Sequence, residues 1–215
     1  MIDLSQLYDN CVYSSIAHAI FILREPFFAA GQSWDGMNYC FNDFCGTRCT
    51  ISFDPDEGIM AGAACGDESE RVRKYPGFKA IQLFENAPDN IKQLARKEAL
   101  EYLYDEWDGV TQPMATVAFW SVGGEVVIDE DIDSFKKNGG AYLITIAVSY
   151  DELCSYWREE YNLSDEEVSA VELIYKHFAN HEPVKLEQVS IINQDCAGYE
   201  DCITALEEIG IAIEQ

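Results

Sequence analysis

Three groups of side chains in this sequence are capable of chemistry. Cys11 lies in Asp9-Asn10-Cys11-Val12-Tyr13-Ser14-Ser15 near the start of a helical pattern, where a thiolate gains from the helix dipole. His177 or His181, then Asn193 or Asp195, follow in the order nucleophile, base, orienting group that a cysteine-dependent hydrolase requires. Yet Cys11 falls about two turns inside its helix and on the apolar stripe, so a buried packing residue is the favoured reading and the Cys11–His177 hydrolase the alternative. His177 and His181 stand at i and i+4, a spacing that can bring two imidazoles to one metal ion. The residues between them, Phe-Ala-Asn, lack the glutamate of a zinc protease, and Asn180 and Pro183 place a helix end at His181. No metal and no cofactor is expected. The third group is the run Asp129-Glu130-Asp131-Ile132-Asp133, which lacks the glycine and distal glutamate of a calcium loop. Asp129, Glu130, Asp131 and Asp133 read instead as a docking edge for a basic partner.

The charge balance favours that reading. The 215 residues carry 39 acidic and 14 basic side chains, a formal charge of −25. Residues 125–215 hold 21 acidic and five basic side chains, so the acid is concentrated late in the chain. So negative a field repels phosphate backbones and anionic lipid, which disfavours nucleic-acid and membrane binding. With 48% hydrophobic and 13% aromatic residues the chain has the apolar content to fold. The eight cysteines form no C-x2-C knuckle, and the N-terminus MIDLSQLYDN lacks a signal-peptide pattern, so reduced thiols in a cytoplasmic protein are expected. Phosphate-binding glycine loops, a G-x-S-x-G elbow and dinucleotide fingerprints are missing from the sequence.

The elements that would position these groups follow from periodicity. Leu4, Tyr8, Cys11, Val12, Ile16, Ala19, Ile20 and Leu23 form one stripe of an amphipathic helix stopped by Pro26. Segments 37–44, 47–54 and 58–64, separated by turn residues, predict a β-meander, with Cys49, Ile51 and Phe53 on the buried face of its second strand. Arg71, Arg73 and Lys74 fall in a polar stretch read as solvated. Asp89 is read as the cap of a second helix whose stripe runs from Ile91 to Trp107 and ends near Gly109. Residues 114–128 suggest a hairpin turning at Gly123-Gly124, and 141–148 a strand. Ser149 with Glu152, and Ser164 with Glu167, have capping-box spacing and predict two successive helices. A strand over 184–192 and a short helix over 199–209, closed by Gly210, complete a single α+β domain spanning residues 1–215, with small antiparallel sheets packed against amphipathic helices.

In Gly31–Cys65, Trp34-Asp35-Gly36 leads into Asn38-Tyr39, followed by Ile51-Ser52-Phe53 and a strand of small residues after Gly58. This segment resembles the strand-rich front of bacterial immunity proteins that neutralise toxins of contact-dependent and polymorphic toxin systems. The resemblance implies a non-catalytic cytoplasmic α+β protein that binds one cognate toxin, often a basic nuclease. It assigns no binding residue, because those families grip their toxins at different places.

Overall fold

The computed structural model describes residues 3–75 and 77–214. Helix α1 (Leu4–Ile22) precedes strands β1 (Gln32–Asp35), β2 (Asn38–Asn42), β3 (Thr47–Asp54) and β4 (Ile59–Gly66). Helix α2 (Asp89–Leu94), the paired strands β5 (Tyr104–Trp107) and β6 (Val110–Pro113), and strands β7 (Val117–Val122) and β8 (Glu125–Ile128) follow. The rest is mainly helical: α3 (Ile132–Phe135), α4 (Ala141–Ile146), α5 (Tyr150–Glu160), α6 (Asp165–Ala179) and α7 (Tyr199–Glu208), with two-residue strands β9 (Val184–Lys185) and β10 (Ile213–Glu214). The architecture is α+β. Its residues group into two compact units, Met1–Tyr8 with Met37–Ala147, and Asp9–Gly36 with Val148–Gln215. No helix among the described residues is long and apolar enough to cross a membrane.

In the first unit, β2, β3, β4, β7 and β8 lie side by side and antiparallel, as the predicted meander and the Gly123-Gly124 hairpin require. Both faces of this sheet are covered, whereas the sequence pattern suggested one. Thr50 and Ser52, on the face expected to be wet, are 1% and 0% exposed. Small residues make this possible. Ala61 and Ala63 of β4 pack into a cluster with Phe84, Ile91, Ala95 and Leu103 from the helical segment on that side. On the other side Gly62 leaves room for the Phe119 ring, and Gly66 faces Gly139 so closely that a Cβ on Gly139 would lie 2.7 Å from the Gly66 amide nitrogen.

That contact explains why residues 141–148 are not a strand. Gly139, at φ +109°, kinks the helical segment Lys136–Gly140 and brings the chain down on β4. Helix α4 then buries Tyr142, Leu143 and Ile146, a helical spacing, and Tyr142 stacks on Phe41 with ring centroids 3.4 Å apart. Packing thus overrides the strand preference of branched side chains. The expected long helix from Asp89 is also shorter. α2 passes into a π-turn (Ala95–Ala99) and a 3-10 turn (Glu101–Leu103), and the chain is extended by Tyr104. Pro88 occupies the cap position, with Asp89 inside the first turn.

In the second unit both predicted capping boxes are formed, with Ser149 and Glu152 opening α5 and Ser164 and Glu167 opening α6. Of the expected strand over 184–192 only β9 forms, paired in parallel with β10, and Leu186–Gln188 is a 3-10 turn. α1 is buried almost all round between Asn10 and Ile20 rather than amphipathic, with Asn10, Ser14, Ser15 and His18 among its buried residues. Asn10 is satisfied by donating to the Val148 carbonyl, and Ser15 by accepting from the Trp34 indole while donating to the Cys11 carbonyl.

His18 is the exception. It lies 3% exposed beside the rings of Phe21 and Tyr161, with no well-aligned hydrogen bond at either ring nitrogen. Burial pushes its pKa down to about 4, opposed in part by the nearby Ala29 and Phe28 backbone. The unfolded chain therefore takes up this proton more readily, near pH 6.5, and the folded state must lose stability as pH falls from there towards 4. Full protonation amounts to about 3 kcal/mol. Replacing His18 with phenylalanine should remove this component, so the gap between variant and wild type in urea denaturation should shift in the variant's favour between pH 7 and pH 4.5. A gap independent of pH would show that His18 is not held neutral.

Candidate protein-docking surface

β5 and β6 form a two-stranded hairpin in which Tyr104 pairs with Pro113 and Trp107 with Val110. The turn is Asp108-Gly109, both at positive φ (51° and 76°), the type I′ geometry that Asp-Gly dipeptides favour. All four residues of β5 are exposed. Tyr104, Trp107 and Val110 are among the most exposed large apolar side chains, and Asp105, Glu106 and Asp108 stand between them with no cation in the hairpin.

Beneath the hairpin is a recess of about 260 Å³, lined by Arg48, Cys65, Asp67, Val72, Asp105, Glu106, Trp107 and Met114. Three of these carry carboxylates and one a guanidinium, which donates to Asp105 at 2.9 Å. The Cys65 thiol is pushed up to about 11 by burial, against the pull of Arg48, and so stays neutral. The recess is thus acidic and bordered by an indole, and its volume suits one side chain rather than a cofactor.

The acidic run read as a docking edge has largely structural employment. Glu130 forms a two-pronged contact with Arg71, at 2.8 and 2.6 Å, and also accepts from the Ser134 hydroxyl. Burial raises the Glu130 pKa, but the Arg71 and Ser134 hydrogen bonds and the Arg71 charge outweigh it and hold the carboxyl below its usual value. Asp131 caps α3 by accepting from the Ser134 amide, and Asp129 accepts from Asn86. Asp133 occupies the first turn of α3, where a carboxylate favours the dipole. Asp129, Asp131 and Asp133 remain exposed. Arg71, read from sequence as solvated, has a side chain only 25% exposed, and it also donates to the Thr116 carbonyl.

The alternative catalytic residues Cys11 and His177 stand on α1 and α6 of the second unit. Cys11 is 0% exposed in α1. His177 sits in the last turn of α6 with Nδ1 3.8 Å from a Glu182 carboxylate oxygen, beyond hydrogen-bond reach. α6 ends at Ala179, and His181 lies past it at φ +55°, so the two histidines do not share a helical face. Among the described residues no cluster of three or more His, Cys, Asp or Glu side chains is arranged to hold a metal. None of the eight cysteines forms a disulfide, and Cys45 is the exposed one. Comparison of the chain with protein-family models, curated proteins and solved structures finds no match.

Two outcomes follow from these placements. Replacing Arg71 with methionine leaves a half-buried Glu130 without its counter-ion and should cost about 2 kcal/mol, whereas adding Glu130→Leu should restore part of it. Additive losses in denaturant titrations would refute the coupling. A thiol reagent at neutral pH should label Cys45 first in the native protein and all eight thiols after denaturation; early labelling of Cys11 would instead mark an activated nucleophile.

Proposed function

We propose that this chain is a non-catalytic acidic binding protein whose partner is a basic protein, docked through the β5–β6 hairpin. The observation that supports it best is the acidic recess of about 260 Å³ with Trp107 at its border. A lysine or arginine side chain of the partner would enter it, drawn by Asp67, Asp105 and Glu106 and covered by the indole face. Tyr104, Trp107 and Val110 supply apolar contact of the kind that dominates binding energy, while the −25 field accelerates the encounter. Neutralisation of a basic toxin, as the immunity-protein resemblance implies, is the specific form of this reading. Asp129, Asp131 and Asp133 then contribute to long-range steering more than to contact.

Capture from the native host with the immobilised full chain tests the proposal. The wild type should retain one basic protein, elutable with salt, and Trp107→Ala should weaken its binding at least tenfold, as loss of a central aromatic anchor does. An unreduced affinity for Trp107→Ala, or a retained partner without a basic surface, would overturn it. The reverse change at an acidic site, Asp133→Lys, should slow association without altering dissociation, because exposed charges act over about 8–10 Å.

A further inference from the structure

The first unit holds a second concavity that the docking surface does not use. It has a volume of about 690 Å³ and lies among the first turns of α1, the β3–β4 turn and the β7–β8 turn. Leu4, Tyr8, Met37, Phe53, Pro55 and Ile59 make its walls apolar, and Tyr8 meets Phe53 edge to face with ring centroids 5.1 Å apart. The N-terminal segment is held there by the Leu4 amide donating to the Gly124 carbonyl and by a bridge between Asp3 and Glu125. Glycines at two turns line the pocket, Gly58 at φ +65° and Gly124 at φ +85°, so the required backbone conformation also keeps side chains out of it.

Among the described residues, the charged ones lining this pocket are Asp3 and Asp54. Each carboxylate uses Oδ1 locally: that of Asp3 accepts from the Ser5 and Gln6 amides, and that of Asp54 from the Asp56 and Glu57 amides. Oδ2 of each has no such duty, and among the described residues neither carboxylate has a basic neighbour in the pocket lining. The α1 dipole adds about half a positive charge at this end, which the Asp3 carboxylate exceeds. An anionic amphiphile such as a fatty acid is therefore repelled, and a neutral one gains nothing from the two negative charges.

We propose that this pocket binds a small amphiphilic cation: an apolar aryl or alkyl body against Tyr8, Phe53 and Ile59, carrying one ammonium group towards Asp3 and Asp54. The volume lies within the range of small-molecule sites, which are mostly apolar with a few orienting polar groups. This site is independent of the hairpin, so it stands or falls apart from the docking proposal.

The test uses one scaffold with three end groups, 4-phenylbutylamine, 4-phenylbutanol and 4-phenylbutyrate, titrated into the full chain and followed by NMR shifts of the pocket residues. The amine should bind about tenfold more tightly than the alcohol, the combined effect of two partly exposed ion pairs, and the carboxylate should not bind detectably. Asp3→Asn and Asp54→Asn keep an oxygen for the local amides while removing the charge, so both variants should fold and the preference for the amine should disappear in the double variant. Ile59→Trp should abolish binding of all three by filling the pocket, and circular dichroism with a denaturation midpoint will show that it is folded. Equal affinity for amine and alcohol, a preference that survives the double variant, or no shift with millimolar amine would overturn the proposal. So would shifts confined to the hairpin, because the amine would then be occupying the recess under Trp107.

Discussion

The first unit depends on how closely its layers approach β4. A strand covered on both faces in a chain of this size has to be thin, and β4 achieves this with Ala61, Gly62, Ala63, Ala64 and Gly66. The hydrophobic gain at such positions comes less from the small residues than from the large ones that reach over them: Phe84 and Trp120 on one side, Phe119 and Phe135 on the other. The Gly66–Gly139 approach then fixes where the chain can return, and the polar groups it brings inward are satisfied by one connected set of bonds. Thr116 accepts from the Gly66 amide and donates to the Asn138 carbonyl, Asn138 meets Ser69 and Ser134, and Ser134 meets Glu130, itself held by Arg71. Such a network stabilises only when complete, which is why a surface-looking arginine and Glu130 of the acidic run are structural partners.

How much of this is legible in the sequence depends on the range of the interactions involved. Capping boxes at Ser149 and Ser164 involve residues three apart, and both were readable and both form. The meander and the Gly123-Gly124 turn are similarly local. Residues 141–148 misled because an apolar run of eight does not distinguish strand from buried helix, and the deciding contact, Gly139 on Gly66, is 73 residues distant in sequence. The burial of Thr50 and Ser52 had no signal at all in the alternation of β3, since small polar side chains read as a wet face until a helix covers them.

The candidate site was half legible. Its charge is visible, and the sequence places the docking edge at the densest acidic run, where Glu130, Asp129 and Asp131 serve Arg71, Asn86 and the α3 cap while Asp129, Asp131 and Asp133 stay exposed. A sharper signal lay in Trp107-Asp108-Gly109-Val110, where an Asp-Gly pair between two β-prone residues marks a type I′ hairpin. It was absorbed into the preceding helical stripe, because Tyr102, Leu103 and Trp107 happen to continue the spacing begun at Ile91.

The same acid excess that suits a basic partner also bears on reactivity. With few cations available, a buried acidic group or thiol in this chain is stabilised in its neutral form unless a neighbouring cation outweighs the burial. Glu130 has Arg71 and stays charged, whereas burial raises Cys65 despite Arg48, and raises Cys202, to about 12, with a further push from Cys196. Burial moves His18 in the opposite direction, to about 4, and again towards neutrality. A general base or a nucleophile works best when its pKa lies near the working pH, and these buried groups are displaced from it on both sides. In the proposed docking, charge held at the surface, as at Glu106 and Asp108, acts instead on the partner. There it can attract a cationic side chain, and the exposed indole beside it can hold that side chain once it arrives.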